Sequence, residues 1–153
     1  MSGERVAFNH VGLCVSDLAR SRYFYENVLD FVYWWELNPP DEGTSLMLQL
    51  EKPVGLKAAY LLRGGLVLEL LEFLPERREQ WRKRSMAEPG LTHLSLSVAD
   101  LDASTGMVER FGGTVIEQTR TPGAVMIRDP DGQLLELLTF RWRHSLPPLP
   151  PDV

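Results

Sequence analysis

Two histidines and two glutamates stand at matching places in two similar stretches of a 153-residue chain. FNHVGLCVSDL, residues 8–18, aligns with LTHLSLSVADL, residues 91–101, with identity at five of eleven positions, and sets His10 on His93. GGLVLELLEF, residues 64–73, aligns with DGQLLELLTF, residues 131–140, with identity at six of ten positions, and sets Glu69 on Glu136. A single histidine in a strand is usually a hydrogen-bonded core residue, and a single glutamate among leucines is often at an edge. The recurrence shifts that weighing, because a pseudo-twofold relation between the stretches would bring two imidazoles and two carboxylates toward one point. An unpaired carboxylate set between Leu68 and Leu70, or between Leu135 and Leu137, is expensive to bury, and a proton or a cation relieves the cost. The chemistry expected of His10, Glu69, His93 and Glu136 is therefore the binding of one divalent metal ion.

The elements that must position these four residues form a duplicated α+β unit. Each unit reads as a strand, a helix and three further strands, βαβββ twice. Alternation along the first strand of each unit puts His10 with Gly12 and Cys14 on one face, and His93 with Ser95 and Ser97. Val11, Leu13 and Val15, and likewise Leu94, Leu96 and Val98, form the opposite apolar face on which a helix can rest. Asp17 is the expected cap of the first helix, with Leu18, Tyr25, Val28 and Leu29 as its apolar stripe. Asp100 or Asp102 caps the second, with Leu101, Thr105, Val108 and Phe111 on one side and Gly112-Gly113 ending it. Strands are expected at about 31–37, 57–63 and 65–73, and again at about 114–119, 124–128 and 133–140. Asp129-Pro130-Asp131-Gly132 marks the last pair as a hairpin. The first unit carries an insertion, placed in NPPDEGTSLMLQLEKP and read as a loop or short helix.

One domain of 1–153 is expected, with module one at about 6–74, a connector helix at about 75–88, module two at about 90–141 and a proline-rich tail over 142–153. The connector PERREQWRKRS has Pro75 to open it and carries Arg77, Arg78, Arg82, Lys83 and Arg84 around Trp81. It reads as a solvated helix, or as a patch attracting an anionic substrate tail. His144, beside the tail, has no partner at ligand spacing and reads as a surface histidine. A net charge of −5 argues against nucleic acid as partner. Cys14, the single cysteine, excludes an internal disulfide. With no apolar run of spanning length and no leader-like N-terminus, the expectation is a cytoplasmic protein that neither enters nor binds a membrane.

NHVGLCVSDLARSRYFYENVLDF, LVLELLEF, THLSLSVADLD and RDPDGQLLEL together resemble the vicinal oxygen chelate superfamily. That group includes glyoxalase I, methylmalonyl-CoA epimerase, extradiol dioxygenases and the bleomycin- and fosfomycin-resistance proteins, and the resemblance covers roughly residues 6–141. It implies that each βαβββ module forms half of a cupped, partly closed mixed sheet with helices outside, and that His10, Glu69, His93 and Glu136 are the metal ligands. Such a nitrogen and oxygen set suits Zn²⁺, Ni²⁺, Co²⁺, Mn²⁺ or Fe²⁺. Two positions of an octahedral ion stay open for substrate oxygens, a geometry that polarises a carbonyl so that a neighbouring proton becomes removable. The resemblance to glyoxalase I implies Glu69 or Glu136 as the base, and it places Cys14 where bacterial glyoxalase I has an arginine that grips glutathione. The expected activity is that of a metal-dependent lyase or isomerase acting on a small oxygen-rich substrate, with Cys14, Ser95 and Tyr60 at the substrate. The alternatives are a resistance-type protein that sequesters a drug in a cup lined by Tyr33, Trp34, Trp35 and Tyr60, and a ring-cleaving dioxygenase. The family habit of pairing modules implies a homodimer.

Overall fold

The computed structural model describes residues 6–79 and 82–148. The chain divides into two compact units, residues 1–80 and 81–153, each built on a four-stranded mixed sheet.

In the first unit, strand β1 (Val11–Val15) leads through Asp17 into helix α1 (Leu18–Val28). The Asp17 carboxylate accepts the Arg20 backbone N–H at 2.9 Å, satisfying a donor that the helix start leaves free. Ser21, Phe24, Tyr25 and Val28 form the buried face of α1, so Phe24 joins the expected stripe and Leu18 is only half-buried. Strand β2 (Val32–Leu37) follows, then helix α2 (Asp41–Leu48), strand β3 (Lys57–Arg63) and strand β4 (Leu66–Glu72). The sheet order is β1-β4-β3-β2, with β1 parallel to β4 and the other pairs antiparallel. The insertion thus resolves as a helix. Its Asp41 carboxylate accepts the backbone N–H groups of Val54 (3.2 Å) and Gly55 (3.0 Å), tying α2 to the approach of β3.

The second unit repeats the plan with strand β5 (Leu94–Val98), helix α3 (Leu101–Val108), strand β6 (Thr114–Ile116), strand β7 (Ala124–Arg128) and strand β8 (Leu134–Thr139), in the order β5-β8-β7-β6. Asp100 caps α3 by accepting Ala103 N–H at 3.0 Å, and Gly112 leaves the helical segment at φ 88°. Leu68 and Leu70 of β4, with Leu135 and Leu137 of β8, are fully buried, while the glutamate between each pair stays half-buried on the other face. That alternation carries both carboxylates out of the cores.

Three segments differ from the sequence expectation. Strand β6 stops at Ile116, because Thr119 Oγ1 donates to Ile116 O (2.7 Å) and accepts Met126 N–H (2.8 Å), bending residues 117–119 into a 3₁₀ turn. Among its described residues the connector forms a 3₁₀ turn at Pro75–Arg77 and no longer helix, and Gln80 and Trp81 lie outside the described residues. Its arginines are engaged elsewhere: Arg77 donates to the carbonyls of Lys52 and Pro53, Arg78 to that of Phe73, Arg84 to those of Pro89 and Leu91, and Arg82 to Glu88. Finally, the expected tail begins as helix α4 (Phe140–Ser145). Arg143 and His144 in its last turn favour the negative end of the helix, and Leu146, preceding Pro147, takes the extended backbone that ends it. The tail residues 149–153 lie outside the described residues.

Candidate metal centre

Each unit brings one histidine and one glutamate together at the head of its first strand. His10 immediately precedes β1, and its Nε2 lies 3.0 Å from Glu69 Oε2 on the neighbouring β4. His93 precedes β5, with its Nε2 3.6 Å from Glu136 Oε2 on β8. Adjacent ligand atoms about 2.0–2.2 Å from a common cation lie about 2.8–3.6 Å apart, so both pairs have the spacing of neighbours in a coordination shell.

The other imidazole nitrogen decides what the first pair presents. His10 Nδ1 lies 2.6 Å from the side-chain oxygen of Asn9, a pure acceptor, so Nδ1 carries the proton. Nε2 then faces a carboxylate oxygen. Two facing lone pairs repel unless a proton or a cation lies between them, and the donor chemistry of this pair therefore fits a metal ion. Thr92 Oγ1 stands in the corresponding place, 2.9 Å from His93 Nδ1. Such contacts fix the orientation of a ligating ring. The sequence reading missed Asn9 and Thr92, although the aligned repeat shows an oxygen-bearing residue before each histidine.

The two carboxylates are held by different means. Glu69 lies opposite Gly12 on β1 and Tyr60 on β3, and Tyr60 Oη donates to Glu69 Oε1 at 2.5 Å. Burial pushes the Tyr60 phenol up to about 12, with the hydrogen bond to Glu69 and the carboxylate charge adding to it, so Tyr60 remains a donor at neutral pH. Trp35 stacks on its ring at 4.6 Å with a 4° interplanar angle, and the His10 ring meets it edge-on at 5.9 Å. In the second unit Met126 occupies the position of Tyr60 and cannot donate. Ser95, standing where the first unit has Gly12, supplies the donor instead: its hydroxyl donates to Glu136 Oε2 at 2.7 Å. Glu69 is the more enclosed carboxylate, its side chain 13% exposed against 29% for Glu136.

Of the residues expected at the substrate, Tyr60 and Ser95 thus bind the carboxylates, whereas Cys14 is exposed and pairs in register with Leu71, two residues beyond the glutamate. Tyr33, Trp34 and Trp35 are exposed rather than core, with the Arg22 guanidinium 3.8 Å above the Tyr33 ring. His144 stacks loosely on Phe140 within α4. Glu136 and Ser95 open onto a cavity of about 510 Å³ within the second unit, and Arg141 and Trp142 of α4 form part of its wall. Among the described residues no three His, Cys, Asp or Glu side chains gather as a metal-binding cluster, so the observed unit of the site is the His–Glu pair.

The sequence family described as the glyoxalase/bleomycin resistance protein/dioxygenase superfamily matches residues 7–137. Among solved structures, a glyoxalase family protein from Bacillus cereus is similar at TM-score 0.76 and 18% identity, covering 91% of this chain and 97% of that one. The trypanothione-dependent glyoxalase I of Leishmania major is similar at TM-score 0.66 and 20% identity, covering 89% and 88%. A fosfomycin resistance protein from Listeria monocytogenes, complexed with Mn(II) and sulfate, is similar at TM-score 0.58 and 17% identity, covering 87% and 91%. At these identities the likeness is one of fold. Comparison with curated proteins gave no match.

Proposed function

The chain belongs to the glyoxalase/bleomycin resistance protein/dioxygenase superfamily, and on that premise we propose that it is a metal-dependent lyase or isomerase acting beside a carbonyl of a small oxygen-rich substrate. The observation that carries this reading is the recurrence, in both units, of a histidine nitrogen 3.0–3.6 Å from a glutamate oxygen. Each pair offers two ligands, and His10, Glu69, His93 and Glu136 together make the nitrogen and oxygen set of Zn²⁺, Ni²⁺, Co²⁺, Mn²⁺ or Fe²⁺. Whether one chain or the two chains of a symmetric homodimer supply the four ligands, the donor set is the same. When bound, the ion supplies Lewis-acid polarisation of a substrate carbonyl.

The chain's own residues divide the remaining work. Tyr60, protonated and donating, locks Oε1 of Glu69 and makes that carboxylate an anchor. Glu136 is more exposed, receives only the neutral Ser95 hydroxyl and lines the cavity, so it is the proton acceptor of this reading. Ser95 holds the Glu136 carboxylate toward the space a substrate would occupy.

Deuterium incorporation beside the carbonyl tests the reading. Metal-loaded protein in D₂O, offered 2-oxo thiohemiacetals, 2-acyl thioesters and β-keto acids, should exchange at least one of them, and Glu136→Gln should abolish the exchange while Glu136→Asp retains part. Exchange that survives Glu136→Gln removes Glu136 from the chemistry. The exposed Tyr33, Trp34 and Trp35 support a second reading, a cup that sequesters a planar compound without altering it. Tight binding of an aromatic ligand recovered unchanged, with no exchange of any substrate, would favour that reading.

The homodimer belongs to the same proposal, since each four-stranded sheet ends in edge strands that a second copy can cover. Sedimentation at micromolar concentration should give twice the chain mass of 17.4 kDa, and a species of that mass alone would contradict it.

A further inference from the structure

Where a duplicated unit departs from its twin, the departure shows what one copy has been given to do. After β4 the first unit continues as Phe73-Leu74-Pro75, and the proline is followed by a single 3₁₀ turn. After β8 the second unit continues as Phe140-Arg141-Trp142 and folds into α4. Arg141 and Trp142 thereby become wall residues of the cavity that Glu136 and Ser95 also line.

Arg141, like Arg143, has no charged partner among the described residues, and of the two it is Arg141 that lines the cavity. The connector arginines are spent on the chain's own carbonyls and carboxylates, and Arg120 is spent on Glu117 and Asp102. Among the described residues Arg141 has neither a hydrogen-bond nor an ion-pair partner, although it shares a cavity with a carboxylate. A guanidinium beside a concave surface of leucine, tryptophan and hydroxyl side chains is a fork without its acceptor.

We infer that α4 is the substrate-selecting wall of this site, with Arg141 binding a carboxylate of the substrate and Trp142 covering its apolar body. The inference rests on the reading of Glu136 as the proton acceptor and adds the substrate class, an oxo acid whose carboxylate lies at Arg141 and whose reacting carbon lies at Glu136. The charge count selects the anion: among the described residues Arg141 is the only cationic one in the lining and shares it with one glutamate, which suits a singly charged carboxylate better than a doubly charged phosphate. Leu138 and the Trp142 ring supply the apolar surface, and Thr121 adds a hydroxyl at the wall.

Calorimetric binding to metal-free protein tests this without turnover, using 1-naphthoate, naphthalene-1-methanol and 1-naphthylphosphonate as probes. A charged hydrogen-bonded pair corresponds to about a tenfold or greater preference, so naphthoate should bind at least that much tighter than the alcohol. Arg141→Gln should erase the preference, whereas Arg143→Gln, outside the lining, should keep it. Equal binding of acid and alcohol, no binding of any probe, a preference that survives Arg141→Gln, or tighter binding of the phosphonate would each overturn the inference. Metal titration of the same proteins keeps the two readings apart. Arg141→Gln should take up metal as wild type does, and a wild type that takes up none refutes the catalytic reading while leaving the carboxylate preference to stand or fall on its own.

Discussion

The Glu69 carboxylate lies in a strand between two fully buried leucines, yet its oxygens are both committed: Oε1 to the Tyr60 phenol and Oε2 to the space shared with His10 Nε2. Removing the phenol frees the carboxylate to rotate. Tyr60→Phe should therefore weaken divalent-metal binding by roughly 10- to 100-fold, the usual cost of deleting a group that orients a ligand, and competition with a chromophoric chelator measures it. The same contact predicts a pH dependence. The folded protein raises the Tyr60 phenol from 10.0 to about 12, so it holds that proton more tightly than the unfolded chain does. The stabilisation is complete below pH 10 and is lost as pH rises from 10 through 12. Urea denaturation of wild type and Tyr60→Phe should show a stability gap that is constant near neutrality and closes across that range. A gap indifferent to pH would contradict the hydrogen bond.

At the level of elements, the first strand and helix of each unit set the position of its histidine. Phe24 and Tyr25 are fully buried and meet edge-on at 5.5 Å, so they lock α1 into the core of the first unit. Phe24→Ala should cost about 3–5 kcal/mol by chemical denaturation, whereas Tyr23→Ala, exposed on the same helix, should change stability by less than about 0.5 kcal/mol. Similar losses for the two would show that α1 packs by another face. Much of this was legible in sequence, because Asp17 and Asp100 sit where an extended residue must satisfy a helix start, and period-two alternation set His10 and His93 apart from the apolar face of their strands. The tyrosine donor was named as a cup residue instead of a carboxylate partner, since cross-strand register between Tyr60 and Glu69 depends on where β3 and β4 turn back. Helix α4 was hidden because six residues before a double proline carry no full period of apolar spacing. The connector misled for the opposite reason: its arginines look helical and solvated in sequence, but they are held by backbone carbonyls elsewhere in the chain.

Across the whole molecule, the duplication gives the chain two histidine–glutamate pairs, one in each unit. No described helix is long and apolar enough to cross a membrane, and the net charge of −5 suits a cationic ligand better than a polyanionic one. The twin units differ around their glutamates, with a tyrosine donor and stacked tryptophan around Glu69, and a serine donor, an open cavity and α4 around Glu136. The proposal that His10, Glu69, His93 and Glu136 supply the ligands of one divalent ion is tested most directly by elemental analysis of protein purified without added metal. The wild-type protein should carry one divalent ion per chain, and Glu69→Gln in the first unit and His93→Ala in the second should each lose it while remaining folded. Undiminished metal in both variants, or a wild-type protein that neither carries nor takes up a divalent ion, would contradict the account.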